Sequence, residues 1–344
     1  MSITYDGRLP LLIASFFLAS FTAYYFSSRF SAKEEVKSPE QTMEEILLHS
    51  FPSKIVERIC SNFTGACFTL VDKMEKKRGR LLAFRELLVK GTDLHISDAR
   101  LLIPRCLNLS NIDSSSWTID KKTVRMDYAR MMIAGLFFST ALDIRSTKKQ
   151  KTLIIGMGAG VINSYLTTIP DLPLDVTAVD NDPLMEIIGK KWFHLKETPL
   201  HHVIIQDGVQ FVKVAARRGQ KYDGIIIDVS HNRLGPLICP TVEFLENEVV
   251  RNLAKVLTER GVIIVNVATL RQFFHEANTV KSLFEKYFKT CLLLPYASQN
   301  RMLFCFRRNN PWKTSDHLRA HVAVIDQELG FQLISGDYVA SNNE

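Results

Sequence analysis

The chain has 344 residues, a formal net charge of +7, and hydrophobic and charged fractions of 46% and 23%. Those proportions belong to a globular protein with ample material for a core, and they exclude wholesale disorder. Lys and Arg are spread along the chain without interleaved aromatics, so the positive balance reads as solubility charge and no nucleic-acid partner is expected.

An uncharged apolar run from Leu9 to Phe26 lies between Arg8 and Arg29. As a helix it spans roughly 27 Å, close to the roughly 30 Å hydrocarbon core of a bilayer. A single-pass transmembrane anchor over residues 9–26 is preferred to a cleaved signal peptide, because no clean A-x-A-like site follows. Arg29, Lys33 and Lys37 lean the body towards the cytosol. Residues 31–41 read as a polar linker, and residues 42–125 as a small β-rich module. Thr42 to Ile59 has helical apolar spacing interrupted by Pro52; Ala66–Val71, Leu81–Phe84 and Leu87–Val89 are short strand candidates. The charged stretch Asp72 to Arg80 between them predicts an exposed hairpin loop. The module is expected either to cover the site or to mediate a homodimer. None of the six cysteines falls in a C-x-x-C, and no His cluster accompanies them, which predicts no metal and no disulfide framework. Asn62-Phe-Thr64 and Asn108-Leu-Ser110 match the glycosylation sequon, which matters only on a lumenal face.

Residues 126–308 alternate between helix and strand patterns. Asp127 to Asp143 is an apolar helix. Thr152 to Ile155 is a short β-rich run expected to be buried on both faces. Gly156, Gly158 and Gly160 then let the backbone turn and approach a ligand, and Val161 to Ile169 opens a helix. Strands are expected at Asp175–Val179, Val203–Ile205, Tyr222–Ile227 and Val262–Val267, with helices from Pro183 to about His194, Glu243–Leu257 and Phe273–Phe288. Cys291–Leu294 and Met302–Phe306 are two strands with no helix between them, as in a parallel sheet closed by an antiparallel edge hairpin. The fold class is therefore α/β, a doubly wound class I methyltransferase-like domain. The tail, residues 309–344, includes a short helix from Ser315 and adds no recognisable chemistry.

In an open α/β sheet, ligands sit outside the carboxyl ends of the strands. Gly156 to Gly160, Asp180, Asp207 with Gly208, and Asp228 meet there. The G-x-G-x-G spacing fits S-adenosylmethionine enzymes better than the dinucleotide fingerprint, whose sixth position is here Val161. Asp180 is placed for ribose hydroxyls, Asp207 for the exocyclic amine of adenine, and Asp228 for the border of a substrate pocket. Each also reads as a helix N-cap. Asp228 and His231 are the candidates to assist deprotonation of an amine nucleophile, although His231 also reads as a surface-loop residue.

The stretches IIGMGAG, AVDNDPLM with a later WF, QDGVQF, YDGIIIDV, CPTVEF, LTERGVIIVNV and NRMLFCF occur in this order. Together with a weaker echo in GRLLAFRELLV and SDARLL, they make the span from Met126 to Arg307 resemble one family domain. It is the C-terminal, spermidine-synthase-like domain of the eukaryotic elongation factor 1-alpha lysine and N-terminal methyltransferases. That resemblance implies S-adenosylmethionine as cofactor, with Gly156, Gly158, Asp180, Asp207 and Asp228 near it and a protein amine as acceptor. The chain departs where such domains carry a second acid after the fourth strand; His231, Asn232 and Arg233 stand there instead. Polyamine synthases carry G-G-G-D-G and D-x-x-D-P where this chain has Gly156-Met-Gly-Ala-Gly160 and Asp228-Val-Ser-His-Asn232. Aminopropyl transfer and a catalytically inactive scaffold of the same fold remain the alternatives.

Overall fold

The computed structural model describes residues 39–295 and 300–333. The expected anchor at residues 9–26 lies outside them, as does most of the linker; among the described residues, no helix is long and apolar enough to cross a membrane.

Two sheets follow one another. The first is a five-stranded antiparallel meander: β1 Ser53–Cys60, β2 Cys67–Lys77, β3 Arg80–Val89, β4 His95–Leu102 and β5 Thr118–Val124. Helix α1, Pro39–Ser50, precedes it. The helical spacing read across Thr42 to Ile59 thus covers a helix and a strand. Pro52 cannot continue α1, and Ile55, Val56 and Ile59 suit a pleated surface.

The charged stretch from Asp72 to Arg80 is not a loop. It runs along β2 into β3, and the turn is confined to Arg78 and Gly79, both at positive φ. Asp72 is fully buried because Arg85, itself buried, donates to both its oxygens at 2.7 and 2.8 Å. Arg85 also reaches the carbonyls of Ser114 and Trp192. Lys73 is paired with Glu86 at 2.6 Å. The expectation of an exposed hairpin therefore holds for its end, where Glu75 to Arg80 are exposed, while Asp72 at the start of the stretch belongs to an internal ion pair.

The second sheet is built on β6 Gln150–Ile155, β7 Leu174–Asp180, β8 His201–Ile205, β9 Tyr222–Ile227, β10 Leu237–Cys239, β11 Leu257–Thr269, β12 Thr290–Pro295 and β13 Asn300–Phe306. The spatial order is β12-β13-β11-β9-β6-β7-β8, with β10 on β11. β11, β9, β6, β7 and β8 pair in parallel, and β13 and β12 close the edge antiparallel. The expected α/β sheet with an edge hairpin is therefore present. Leu153–Ile155, Ile225–Ile227 and Val262–Val265 are buried throughout, since helices cover both faces. The helices are α2 Asp127–Phe138, α3 Val161–Leu166, α4 Pro183–Trp192, α5 Gly208–Arg217, α6 Asn247–Val256, α7 His275–Phe284 and α8 Ser315–Leu329. Glu243 to Leu257 divides into a 3-10 turn, Val242–Leu245, and α6; Leu257 already belongs to β11.

Helix α2 is apolar almost all round because it lies between layers. Gly135 lets it approach the sheet, where an added Cβ would come within 2.6 Å of the Phe304 ring. Trp312, beyond the last strand, meets Phe138 at a tilt and Phe304 and Phe306 edge-on, and Phe331 meets Tyr165. Trp312, Phe331 and Leu333 of the tail are thus part of the core.

The two sheets share that core, which runs from Leu70 and Leu87 through Met132 and Phe138 to Phe304. Polar ties cross between them. Ser61 and Thr64, in the β1–β2 turn, donate to the two oxygens of Asp182 at 2.8 and 3.0 Å. The Ser97 hydroxyl accepts from the Ala159 N–H at 2.9 Å.

The absence of disulfides expected from the sequence is corrected. Cys60 and Cys67 face each other across β1 and β2, and Cys291 and Cys305 across β12 and β13, and each pair is bonded. Spacing along the chain could not reveal this, because strand register creates the pairs. Cys106 and Cys239 are free.

Candidate active site

A cavity of about 700 Å³ opens over the carboxyl ends of β6, β7 and β9. Gly156 follows β6 with φ +87°, and an added Cβ there would overlap the carbonyl oxygen of Asp228. The turn can therefore be made only by glycine. Asp180, at the end of β7, answers it: one oxygen accepts from the N–H groups of Met157 and Gly158 at 2.9 and 3.2 Å, the other from Asp182 at 3.1 Å. A carboxylate offers about four acceptor sites, so about one remains for a ligand hydroxyl. Burial raises the Asp180 pKa against the opposing pull of these N–H groups.

Asp228 ends the buried run of β9 and borders the cavity floor. Its Oδ1 accepts from Asn266 Nδ2 at 2.8 Å, and Asn266 in turn accepts from Asn300 Nδ2 at 2.9 Å. The Tyr128 hydroxyl also bonds to Asp228. Burial is the largest influence and pushes the Asp228 carboxyl up, partly offset by Asn266, Tyr128 and Cys239. An acid so placed is a better proton acceptor than a solvated one.

The predicted residues are distributed unevenly. Gly156, Gly158, Asp180, Asp207, Gly208, Asp228 and His231 line the cavity. Gly160 is not among its lining residues. It caps α3 at φ +84° and packs towards Leu195 and Asn163. Of the three acids, only Asp207 is the cap of its helix, accepting from Gln210 N at 2.9 Å. The cap of α4 is Asp182, which accepts from Leu184 N. His231 is held by its backbone, which donates to the Ile238 carbonyl at 3.2 Å.

Several lining residues carry no signal in the motifs. Asp93 and His95 arrive from the β-rich module and Tyr128 from the start of α2, whereas Glu243, in the turn after β10, falls within the CPTVEF stretch. Asn266 had a readable sign, since it interrupts an apolar strand (Val262-Ile-Ile-Val-Asn-Val267), where a polar side chain needs a partner. The charge of the lining is one-sided. Asp93, Asp180, Asp182, Asp207, Asp228 and Glu243 contribute carboxylates, and no Lys or Arg lines the cavity among the described residues. Beside it, Glu86, His95 and Asp98 bring three ligand-type atoms within 4.8 Å of one another. Both carboxylates are already paired, with Lys73 and Arg125.

This sheet, with its glycine turn and acids on consecutive strand ends, defines the nucleoside-binding α/β transferases that include class I methyltransferases and spermidine synthases. Residues 128–316, more than half of the chain, match the spermine/spermidine synthase domain, and the chain belongs to that family. It is 29% identical over 192 residues to the polyamine aminopropyltransferase of Vibrio vulnificus, covering 55% of this chain and 59% of that protein. It is 28% identical over 156 residues to the human eEF1A lysine and N-terminal methyltransferase, covering 44% of this chain and 22% of that protein. The matched stretch is thus less than two thirds of either relative. Among solved structures, human Methyltransferase-like protein 13 in complex with SAH aligns with TM-score 0.53 at 22% identity, over 60% of this chain and 93% of that one. A probable spermidine synthase from Corynebacterium glutamicum aligns with TM-score 0.56 at 14% identity, over 80% and 87%. These likenesses establish the spermidine-synthase-like methyltransferase relationship recognised in the sequence motifs.

Proposed function

We propose that the protein is an S-adenosylmethionine-dependent methyltransferase whose acceptor is an amine displayed on a protein. The observation that carries this reading is the cation-free, carboxylate-lined cavity at the strand ends, in a chain whose net charge is +7. Such a cavity favours a sulfonium and a protonated amine over a dinucleotide, whose diphosphate would meet six carboxylates and no cationic side chain.

Bound S-adenosylmethionine supplies an activated methyl group, so the protein has only to align, desolvate and deprotonate. Asp180 would take one ribose hydroxyl with its remaining acceptor site, while the Gly156–Gly158 turn lets the backbone approach. Asp207 lies one strand further on, towards the adenine. Asp228, with its proton affinity raised by burial, accepts a proton from the acceptor ammonium. The cofactor held by Asp180 and the Gly156–Gly158 turn would supply the methyl group to the nitrogen so freed, and its sulfonium would leave as a neutral thioether. Tyr128 and the Asn266–Asn300 chain hold the Asp228 carboxyl in place. His231 and Glu243 stand at the cavity wall, where the acceptor enters.

One observation favours a second reading. With no Lys or Arg in the lining among the described residues, none of these side chains offers a permanent cation to the carboxylate of the methionine moiety, and decarboxylated S-adenosylmethionine lacks that group. Aminopropyl transfer to a diamine follows from it. Incubating the protein with cofactor labelled in the methyl group and with a lysate depleted of this protein distinguishes the two. Label on a polypeptide band supports methyl transfer. A lengthened polyamine from decarboxylated cofactor and diamine replaces it with the second reading, and neither product leaves an inactive scaffold.

A further inference from the structure

The two disulfides and the two glycosylation sequons belong to no step of the chemistry above. Four of the six cysteines stand in directly opposed pairs on antiparallel neighbours, with Cα separations of 3.9 Å for Cys60–Cys67 and 4.2 Å for Cys291–Cys305. The pairs occupy different sheets, so their coincidence is not one local accident of register. Such bonds persist in oxidising compartments and are rare where thiol reductants are abundant.

The sequons point the same way and come from other residues. Asn62 is exposed in the β1–β2 turn, between Cys60 and Cys67; Asn108 is exposed in the segment between β4 and β5. Both lie in turns rather than in a strand or helix. The Ser61 hydroxyl accepts from Phe63 N and Thr64 N, and Asn108 Oδ1 accepts from Ser110 N. An exposed Asn-x-Ser/Thr in a surface loop is the acceptor pattern for N-linked glycans. The apolar run Leu9 to Phe26 has the length and character of a membrane anchor or of a signal sequence, and either would direct the chain to a secretory membrane.

We propose that the body of this protein faces an oxidising, glycosylating lumen, and that Asn62 and Asn108 carry N-linked oligosaccharides there. This orientation is opposite to the one that Arg29, Lys33 and Lys37 favour. In the transfer, Asn Nδ2 bonds to C1 of the sugar of a lipid-linked oligosaccharyl diphosphate. The C1–O bond to the diphosphate breaks, the lipid diphosphate leaves, and the amide proton passes to a base of the transferring enzyme. Each cysteine pair gives two electrons and two protons to a disulfide-donating oxidoreductase, which becomes a dithiol. Asn62 lies two residues before Thr64, which lines the cavity, so its glycan stands beside the mouth. The proposal is independent of which group the cavity transfers.

The test is translation of the full chain with microsomes, followed by endoglycosidase, external protease, and thiol alkylation after denaturation with and without reduction. Two endoglycosidase-sensitive mobility steps are expected. One should remain in Asn62→Gln or Asn108→Gln and none in the double variant. The body should be protected from protease, and Cys106 and Cys239 should be the alkylated thiols before reduction. A protease-accessible, unglycosylated body with six reactive thiols overturns the proposal. A protected, disulfide-bonded body without glycan overturns the two modification sites.

Discussion

Asp180 and Asp228 illustrate how one residue type takes two roles from its surroundings. Asp180 spends about three acceptor sites on backbone N–H groups and so organises the turn it shares a ligand with. Asp228 receives one amide, one hydroxyl and one thiol and keeps a raised proton affinity through enclosure. Substituting Asp228→Asn should lower the transfer rate by about 10²–10⁴, the usual range for loss of a general base, with little change in cofactor affinity. Rate against pH, compared with wild type, checks this. Asp98 gives a second test on a different quantity. Burial, opposed by Arg125, raises its carboxyl from 3.8 to about 6. Between those values the folded chain holds a proton that the unfolded chain has lost, so stability falls as pH rises through the window and levels off above it. The fall amounts to about 3 kcal/mol. Denaturant midpoints measured from about pH 4 to pH 7 should fall more steeply in the wild type than in Asp98→Asn, which keeps only the fall due to Asp180 and Asp228.

At the scale of elements, legibility depended on whether a signal was local. The glycine turn, Asp180 and Asp207 sit at strand-to-helix junctions and Asp228 just past the end of an apolar strand, where backbone and side-chain chemistry act over a few residues. They could be read directly. The strands β4, β5 and β10 could not, because their residues (His95-Ile-Ser-Asp-Ala-Arg-Leu-Leu102 in β4) show no clean alternation and are fixed by their neighbours. The same holds for Asp72 and Arg85: each is an ordinary surface residue by type, and only the alignment of β2 with β3 makes them a buried pair. Breaking such a pair leaves an uncompensated charge. Arg85→Ala should therefore cost about 3–5 kcal/mol, measured by denaturant unfolding, and should loosen the Trp192 end of α4 that Arg85 also holds. The Asp207 cap is smaller in scale. Asp207→Ala should cost about 1 kcal/mol while weakening cofactor binding, which separates its two roles.

Among the described residues, the two sheets share one core, and a second core fills the other face of the α/β sheet. The β-rich module sends Thr64, Phe68, Asp93 and His95 into the cavity, and Ser61, Thr64 and Ser97 tie it to Asp182 and the glycine turn. The cavity is therefore built by both parts, and its acidity belongs to neither sheet alone. On the proposed reading, this acidic cavity binds S-adenosylmethionine through Asp180. Calorimetric titration of S-adenosylmethionine, its decarboxylated form and NAD into the full chain tests it most directly, with Asp180→Asn as the control. The account predicts micromolar binding of S-adenosylmethionine, weakened at least about tenfold in the variant, the equivalent of about 1.4 kcal/mol, and no binding of NAD. Well-folded protein that binds NAD, or that gives no heat with either sulfonium, would contradict it.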